Sequence, residues 1–152
     1  MSAAIRPDGT VFGFDVGARR IGVAVGSRFG HGARALAVID VHDDVPDWRA
    51  IDRLREEWKP DGIIVGDPMT LDGGDQPIRR RAHGFARELR DRYRLPVLLM
   101  DERASSIEAA QRFADERAQG RRRRRDAAAL DAVAAAIIVE RWLAAPDDAV
   151  PV

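Results

Sequence analysis

Apolar positions near the start of the chain recur with a period of two, and that spacing predicts strands. Val11, Phe12 and Phe14 read as a first, buried strand, and Ile21, Val23 and Val25 as a second. Ala35 to Ile39 reads as a third, after the break at Gly30-His31-Gly32. Joined by short turns, three consecutive strands predict an antiparallel meander. The period then lengthens. Pro46-Asp47 marks a helix start, Trp48, Ile51, Leu54 and Trp58 recur at helical spacing, and Lys59-Pro60 ends the run. The tryptophans on that stripe read as core packing, not as a platform for stacking bases. Ile63-Ile64-Val65 is apolar without alternation, as expected of a central strand buried on both faces and parallel to the first. Ile78, Ala82, Phe85 and Leu89 define the inner side of a second helix, with Arg79, Arg80, Arg87 and Arg90 on its solvated side. Leu95 to Met100 is a fifth strand. Ser105-x-x-Glu108 matches a capping box, with Ile107, Ala110, Phe113 and Ala114 inside the helix it opens. Asp126 to Leu143 carries almost no polar side chains before Glu140 and predicts a last helix buried against the sheet. The pattern predicts one α/β domain over residues 1–152, with a five-stranded mixed sheet, three strands antiparallel and then two parallel, flanked by helices. Residues 1–9 and 145–152 read as loose termini.

Composition narrows the chemistry. A 152-residue chain with 45% hydrophobic residues has what one core needs. It has no apolar run of the roughly 18 residues that span a membrane and no leader-like segment at its start, so a cytoplasmic protein is expected. With no cysteine, disulfides, thiolate metal sites and a cysteine nucleophile are excluded, and any metal must be held by oxygen or imidazole. The 25 basic and 25 acidic residues cancel, so global charge points to no partner. Distribution says more. Lys59 is the only lysine, and the arginines cluster at Arg79 to Arg81 and again at Arg121, Arg122, Arg123, Arg124 and Arg125. That run of consecutive arginines must be solvated or bound to phosphate because it repels itself. His31, His42 and His83 read as surface residues.

Four acids sit where chemistry is done. Asp15 closes the first strand before a turn containing Gly17, and is either a solvated turn residue or a ligand that a metal or anion-bound turn compensates. The fifth strand runs into Asp101 and Glu102, and because adjacent strand residues face opposite ways, only one of the two can serve a given site. Asp131 stands among apolar neighbours in the last helix, as a satisfied structural acid or as a ligand. Asp126, beside the arginine run, is explained by the helix dipole and local ion pairs. Together Asp15, Glu102 and Asp131 offer oxygen donors from three elements, which is what a hard cation such as magnesium or manganese takes. Two such ions roughly 4 Å apart activate a water and stabilise the leaving oxygen in phosphodiester hydrolysis.

Four segments, Phe14-Asp15-Val16-Gly17-Ala18-Arg19-Arg20-Ile21-Gly22-Val23-Ala24-Val25, Ile63-Ile64-Val65-Gly66-Asp67-Pro68-Met69-Thr70-Leu71-Asp72-Gly73, Asp101-Glu102-Arg103-Ala104-Ser105-Ser106 and Leu130-Asp131, resemble in order the signature blocks of the YqgF (RuvX) family. The resemblance covers nearly the whole chain. It implies a ribonuclease H-like fold and a family described as Holliday-junction resolvases or as nucleases that mature the 5′ end of the small-subunit ribosomal RNA precursor. It also implies that Asp15, Glu102 and Asp131 form a catalytic, metal-binding acidic triad. Three positions depart from the family pattern: Ala104 replaces a bulkier apolar residue, Asp67 an apolar one, and the run from Arg121 to Arg125 a Gly-Lys pair. Asp67 adds a charge that either recruits metal or decorates its loop.

The expected activity is a magnesium- or manganese-dependent nuclease, acting on the 5′ end of the pre-16S ribosomal RNA or, as the alternative, on branched DNA. Arg19, Arg20, Arg103, Arg121, Arg122, Arg123, Arg124 and Arg125 are the candidate phosphate grips, each also able to pair with an acid. A junction resolvase is expected to present two centres, hence a homodimer. Two rival readings remain at this level. The Asp15-x-Gly17 turn also resembles the first phosphate loop of the actin and sugar-kinase ATPases, whose second lobe 152 residues do not accommodate. A noncatalytic RNA-binding regulator would keep the same acids for structure.

Overall fold

The structure is a computed structural model that describes residues 5, 9–27, 32–68, 76–101 and 130–152. Strands β1 (Thr10–Val16), β2 (Arg20–Ser27) and β3 (Gly32–His42) form the expected antiparallel meander. A two-residue strand, β4 (Val45–Pro46), folds back on β3 before helix α1 (Trp48–Trp58). Then follow β5 (Gly62–Asp67), helix α2 (Pro77–Tyr93), β6 (Val97–Asp101), helix α3 (Leu130–Ala144) and β7 (Val150–Pro151). The sheet order is β4-β3-β2-β1-β5-β6-β7, with β5 parallel to β1 and β6 parallel to β5. Among the described residues the sheet thus has seven strands, not five. The additional pair are edge strands of two residues each, too short to show any period and each containing a proline. β7 also corrects the expectation of a loose C-terminal end: it pairs antiparallel with β6, and Val152 donates its amide to the Val97 carbonyl at 3.0 Å. The helix expected after Ser105 and the residues of the last helix before Leu130 lie outside the described residues.

Side-chain parity divides the molecule into layers. Phe12, Phe14 and Val16 of β1, with Ile21, Val23 and Val25 of β2, face α1 and α2 and pack on Ile51, Ala82, Phe85 and Leu89. Val11, Ala24, Ile64, Leu98 and Met100 face the opposite way, onto Ala135, Ile138 and Val139 of α3. β5 is buried along its whole length, as a central parallel strand should be. The apolar α3 lies against β1 and β2 at unusually close range, because that face of the sheet carries almost no side chains. A Cβ on Gly13 would stand 2.3 Å from Val139 Cγ2, and one on Gly26 2.9 Å from Val139 Cγ1. None of the described helices is long and apolar enough to cross a membrane.

An ion-pair cluster joins the two helices of the other layer. Asp52 of α1 accepts from Arg92 Nε at 2.9 Å and Nη2 at 2.6 Å, and from the Tyr93 hydroxyl at 2.5 Å. The Arg92 guanidinium holds the Asp52 carboxyl below its ordinary value of 3.8, and burial with the neighbouring carboxylate pushes the Tyr93 hydroxyl up. A lowered acid stabilises the fold above its unfolded pKa and ceases to do so as pH falls through the folded one. Asp52→Asn is therefore expected to be less stable than wild type at neutral pH, by at most about 1 kcal/mol because both side chains of the ion pair are substantially exposed. Urea midpoints of the two proteins should converge as the pH drops below 3.8.

Candidate active site

The site forms where β1 ends. Val16 is the last residue of the strand, the turn takes residues 17–19, and β2 starts at Arg20. Gly17 donates its amide to the Arg20 carbonyl at 2.9 Å, and a Cβ at Gly17 would come within 2.7 Å of that oxygen. Tight closure of the turn, and not a left-handed backbone, is what requires glycine here. Arg19 is exposed at the tip, its carbonyl accepting the Val41 amide at 2.9 Å.

Asp15 lies directly opposite Gly22 across the β1–β2 ladder. Directly opposed residues present their side chains to the same face, and Gly22 presents its bare face to α3. A Cβ built on Gly22 would stand 1.9 Å from the Asp131 carbonyl oxygen and 2.7 Å from the Ala132 amide nitrogen. The α3 backbone at Asp131 is thus seated on the cross-strand partner of Asp15. Two of the three sequence-predicted acids, 116 positions apart, belong to one place: the α3 face of the sheet at the carboxyl end of β1.

Arg20 shares the parity of Gly22, and its Nε donates to Asp131 Oδ2 at 2.9 Å. The side chains are 50% and 31% exposed, so the pair is worth at most about 1 kcal/mol and its partners exchange readily. Of the two roles open to Arg20 in the sequence, this geometry has it paired with an acid. The third acid, Glu102, lies outside the described residues, and so do the candidate grips Arg103, Arg121, Arg122, Arg123, Arg124 and Arg125. Asp101 shares the parity of Val97 and Leu99, on the α1 and α2 side.

Asp67 does not join Asp15. It follows Ile63 and Val65 in parity, so it faces α2 on the opposite side of the sheet, and it is 7% exposed. There Arg79 Nε donates to Oδ1 at 3.1 Å, and His83 Nε2 lies 3.0 Å from the same oxygen. His83, expected on the surface, and Arg79, expected on a solvated face, both turn inward to a buried carboxylate. Their spacing of four on one helix was the available signal, since residues so placed share a face. Arg81, two positions before His83 and part of the first arginine cluster, donates to the Ala18 carbonyl at 3.2 Å and pairs with Asp44 at 2.8 Å. It ties α2 to the turn that follows Asp15.

The donor set at the β1 end consists of carboxylate oxygens, which suits magnesium or manganese and not a thiophilic metal. Among the described residues no group of three or more acids, histidines or cysteines converges.

Comparison with known proteins places this geometry among its relatives. A family model described as "RuvX: Holliday junction resolvase" matches residues 9–145. A protein of Xanthomonas axonopodis pv. citri (strain 306), named "Putative pre-16S rRNA nuclease", is 72% identical over 148 residues, covering 97% of this chain and 96% of that protein. One of the same name from Xanthomonas campestris pv. campestris (strain B100) is 70% identical over an equal span. Among solved structures, Thermus thermophilus RuvC superposes with a TM-score of 0.55 at 18% identity, over 94% of this chain and 99% of that one. The RuvC of that organism in complex with Holliday junction substrate gives 0.54 over the same shares. At that identity the likeness is one of fold.

Proposed function

The chain belongs to the RuvX family, and on that premise we propose that it is a ribonuclease H-like, divalent-metal-dependent nuclease that hydrolyses phosphodiester bonds at the 5′ end of the pre-16S ribosomal RNA in the cytoplasm. The observation that carries the reading is the seating of Asp131 on Gly22, which brings a helix-borne acid to the face and end of the sheet that Asp15 occupies. Names of relatives at 70% identity and above support the RNA as substrate.

Asp15 and Asp131 would hold magnesium or manganese, two ions by preference, with Glu102 as the third acid. On β6 the even positions Leu98 and Met100 face α3, and 102 is the next even position in the sequence. When bound, the metal supplies an activated water and stabilises the leaving oxygen. The protein's own part is positional. Gly22 admits Asp131 to the sheet, Arg20 orients its carboxylate, and the closed Gly17 turn fixes the end of β1. Because the Arg20–Asp131 pair is half exposed, Arg20 can pass from carboxylate to a substrate phosphate at little cost. Arg19, at the tip of the same turn, is a second phosphate contact. Arg103, Arg121, Arg122, Arg123, Arg124 and Arg125 complete the set.

A second reading, resolution of Holliday junctions, is favoured by the family description and by the RuvC-like fold; it requires two centres and hence a homodimer. Cleavage of a precursor ribosomal RNA and of a four-way DNA junction by the same preparation decides between them. Faster, site-specific cutting of the RNA is expected. Cutting of the junction alone, by a protein that is dimeric in light scattering, would transfer the assignment to DNA, and no metal-dependent cutting of either would refute the nuclease reading.

A further inference from the structure

On the α2 side of the sheet, beneath the turn that follows Asp15, a cavity of about 340 Å³ opens between α2, that turn and the β3–β4 hairpin. Ile21, Val41 and Phe85 give it an apolar floor, and Arg80 and Arg81 stand at its rim. Gly84 also lines it, in the interior of the 17-residue helix α2, with no atom within 4 Å of where its Cβ would be. Glycine in a helix interior costs about 1 kcal/mol relative to alanine, and no close neighbour requires it at this position. What it provides is room in the cavity.

A second cavity meets the first at Arg80 and is lined by Arg79, Arg80, His83 and Arg87. Arg80 and Arg87 are about 10 Å apart along the helix at 1.5 Å per residue, far enough for the two to meet different phosphates of one strand. Buried Asp67 fixes the inner edges of Arg79 and His83, so this cationic track is organised in advance. Arg81 holds the Ala18 carbonyl, which keeps the groove against the turn next to Asp15. An apolar floor excludes a bare phosphate as the occupant, and the cationic track excludes a purely apolar one. A nucleotide has both parts.

We propose that the cavity beside Gly84 receives one unstacked base from a single-stranded flank of the substrate, with the adjoining phosphates running along Arg80, His83 and Arg87. The base covers the Phe85 floor, and the Asp44 and Glu88 carboxylates at the cavity wall accept from its amino or imino protons. This subsite rests on the nuclease reading, since it takes the flank of the strand that the acids cut.

The test is binding of a short, labelled, single-stranded oligoribonucleotide by fluorescence anisotropy in EDTA, where no metal-dependent cleavage intervenes. Gly84→Ala is expected to melt higher than wild type, because a helix-interior glycine is replaced with no close neighbour to crowd the methyl. Gly84→Leu, which puts a side chain into the cavity, is expected to remain folded by circular dichroism and to bind about tenfold or more weakly, as when one base loses its contact surface. Arg87→Gln is expected to reduce the slope of log affinity against log salt by about 0.7. Wild-type affinity in Gly84→Leu, absence of binding by wild type, or equal affinity for the corresponding duplex would overturn the subsite. The readout is separate from catalysis: a protein that binds in this manner but cuts nothing refutes the nuclease and leaves the groove, whereas full cleavage and binding by Gly84→Leu does the reverse.

Discussion

Replacing Gly22 by valine is expected to destabilise the fold by about 3 kcal/mol or more and to remove nuclease activity with it. A side chain at this position meets backbone, not a flexible neighbour: the Asp131 carbonyl oxygen at 1.9 Å, its carbon at 2.2 Å and the Ala132 nitrogen at 2.7 Å from the first added atom. No rotamer relieves that contact, so the start of α3 must lift off the sheet. Lifting it exposes apolar surface along α3 and carries Asp131 away from the Asp15 face. Gly84→Ala on α2, with open space around it, is the matched control and should gain stability. Thermal melts of the two variants beside wild type read both effects.

Asp131→Asn is the complementary case, in which chemistry is lost and the fold is kept. Asparagine fills the same volume, and the half-exposed pair with Arg20 contributes at most about 1 kcal/mol, so the melting curve should barely move. Cleavage of precursor RNA under single-turnover conditions is expected to fall by about 100-fold or more, since loss of a group merely supporting a metal ligand already costs about 10- to 100-fold. Arg20→Ala should fall less, because it leaves the carboxylate in place. An Asp131→Asn protein that cuts as fast as wild type would reduce Asp131 to a structural acid paired with Arg20.

How far the sequence could be read follows the length scale of its signals. β1 and β2 alternate over enough residues to declare a strand, β3 from Ala35 to Ile39 and β5 from Ile63 to Val65 are continuous apolar runs, and the α1 and α2 stripes repeat over several turns. β4 and β7, two residues each, have no period to detect, and their prolines argue against strands when read locally. Close approach of α3 was legible in principle: Gly22, Ala24 and Gly26 alternate with Ile21, Val23 and Val25, which marks one face of β2 as nearly bare. The choice of helix to fill that face needed the tertiary structure. Asp15 and Asp131 stood out because an acid beside apolar residues demands compensation. Asp67 departs from the family pattern, and the sequence leaves it either recruiting metal or decorating its loop; the structure instead has it buried on the other face and held by Arg79 and His83. Strand parity from Ile63 through Val65 separates Asp67 from Asp15, and only the end of the strand, at residue 67, decides that the parity continues that far.

The central claim is that Asp15 and Asp131 serve one metal site, and Mn²⁺ binding followed by electron paramagnetic resonance tests it most directly. Wild type should take up Mn²⁺, and Asp15→Asn and Asp131→Asn should each weaken that uptake by about tenfold or more while melting close to wild type. A folded Asp15→Asn protein that binds Mn²⁺ as tightly as wild type, or a wild type that binds none, would contradict the account.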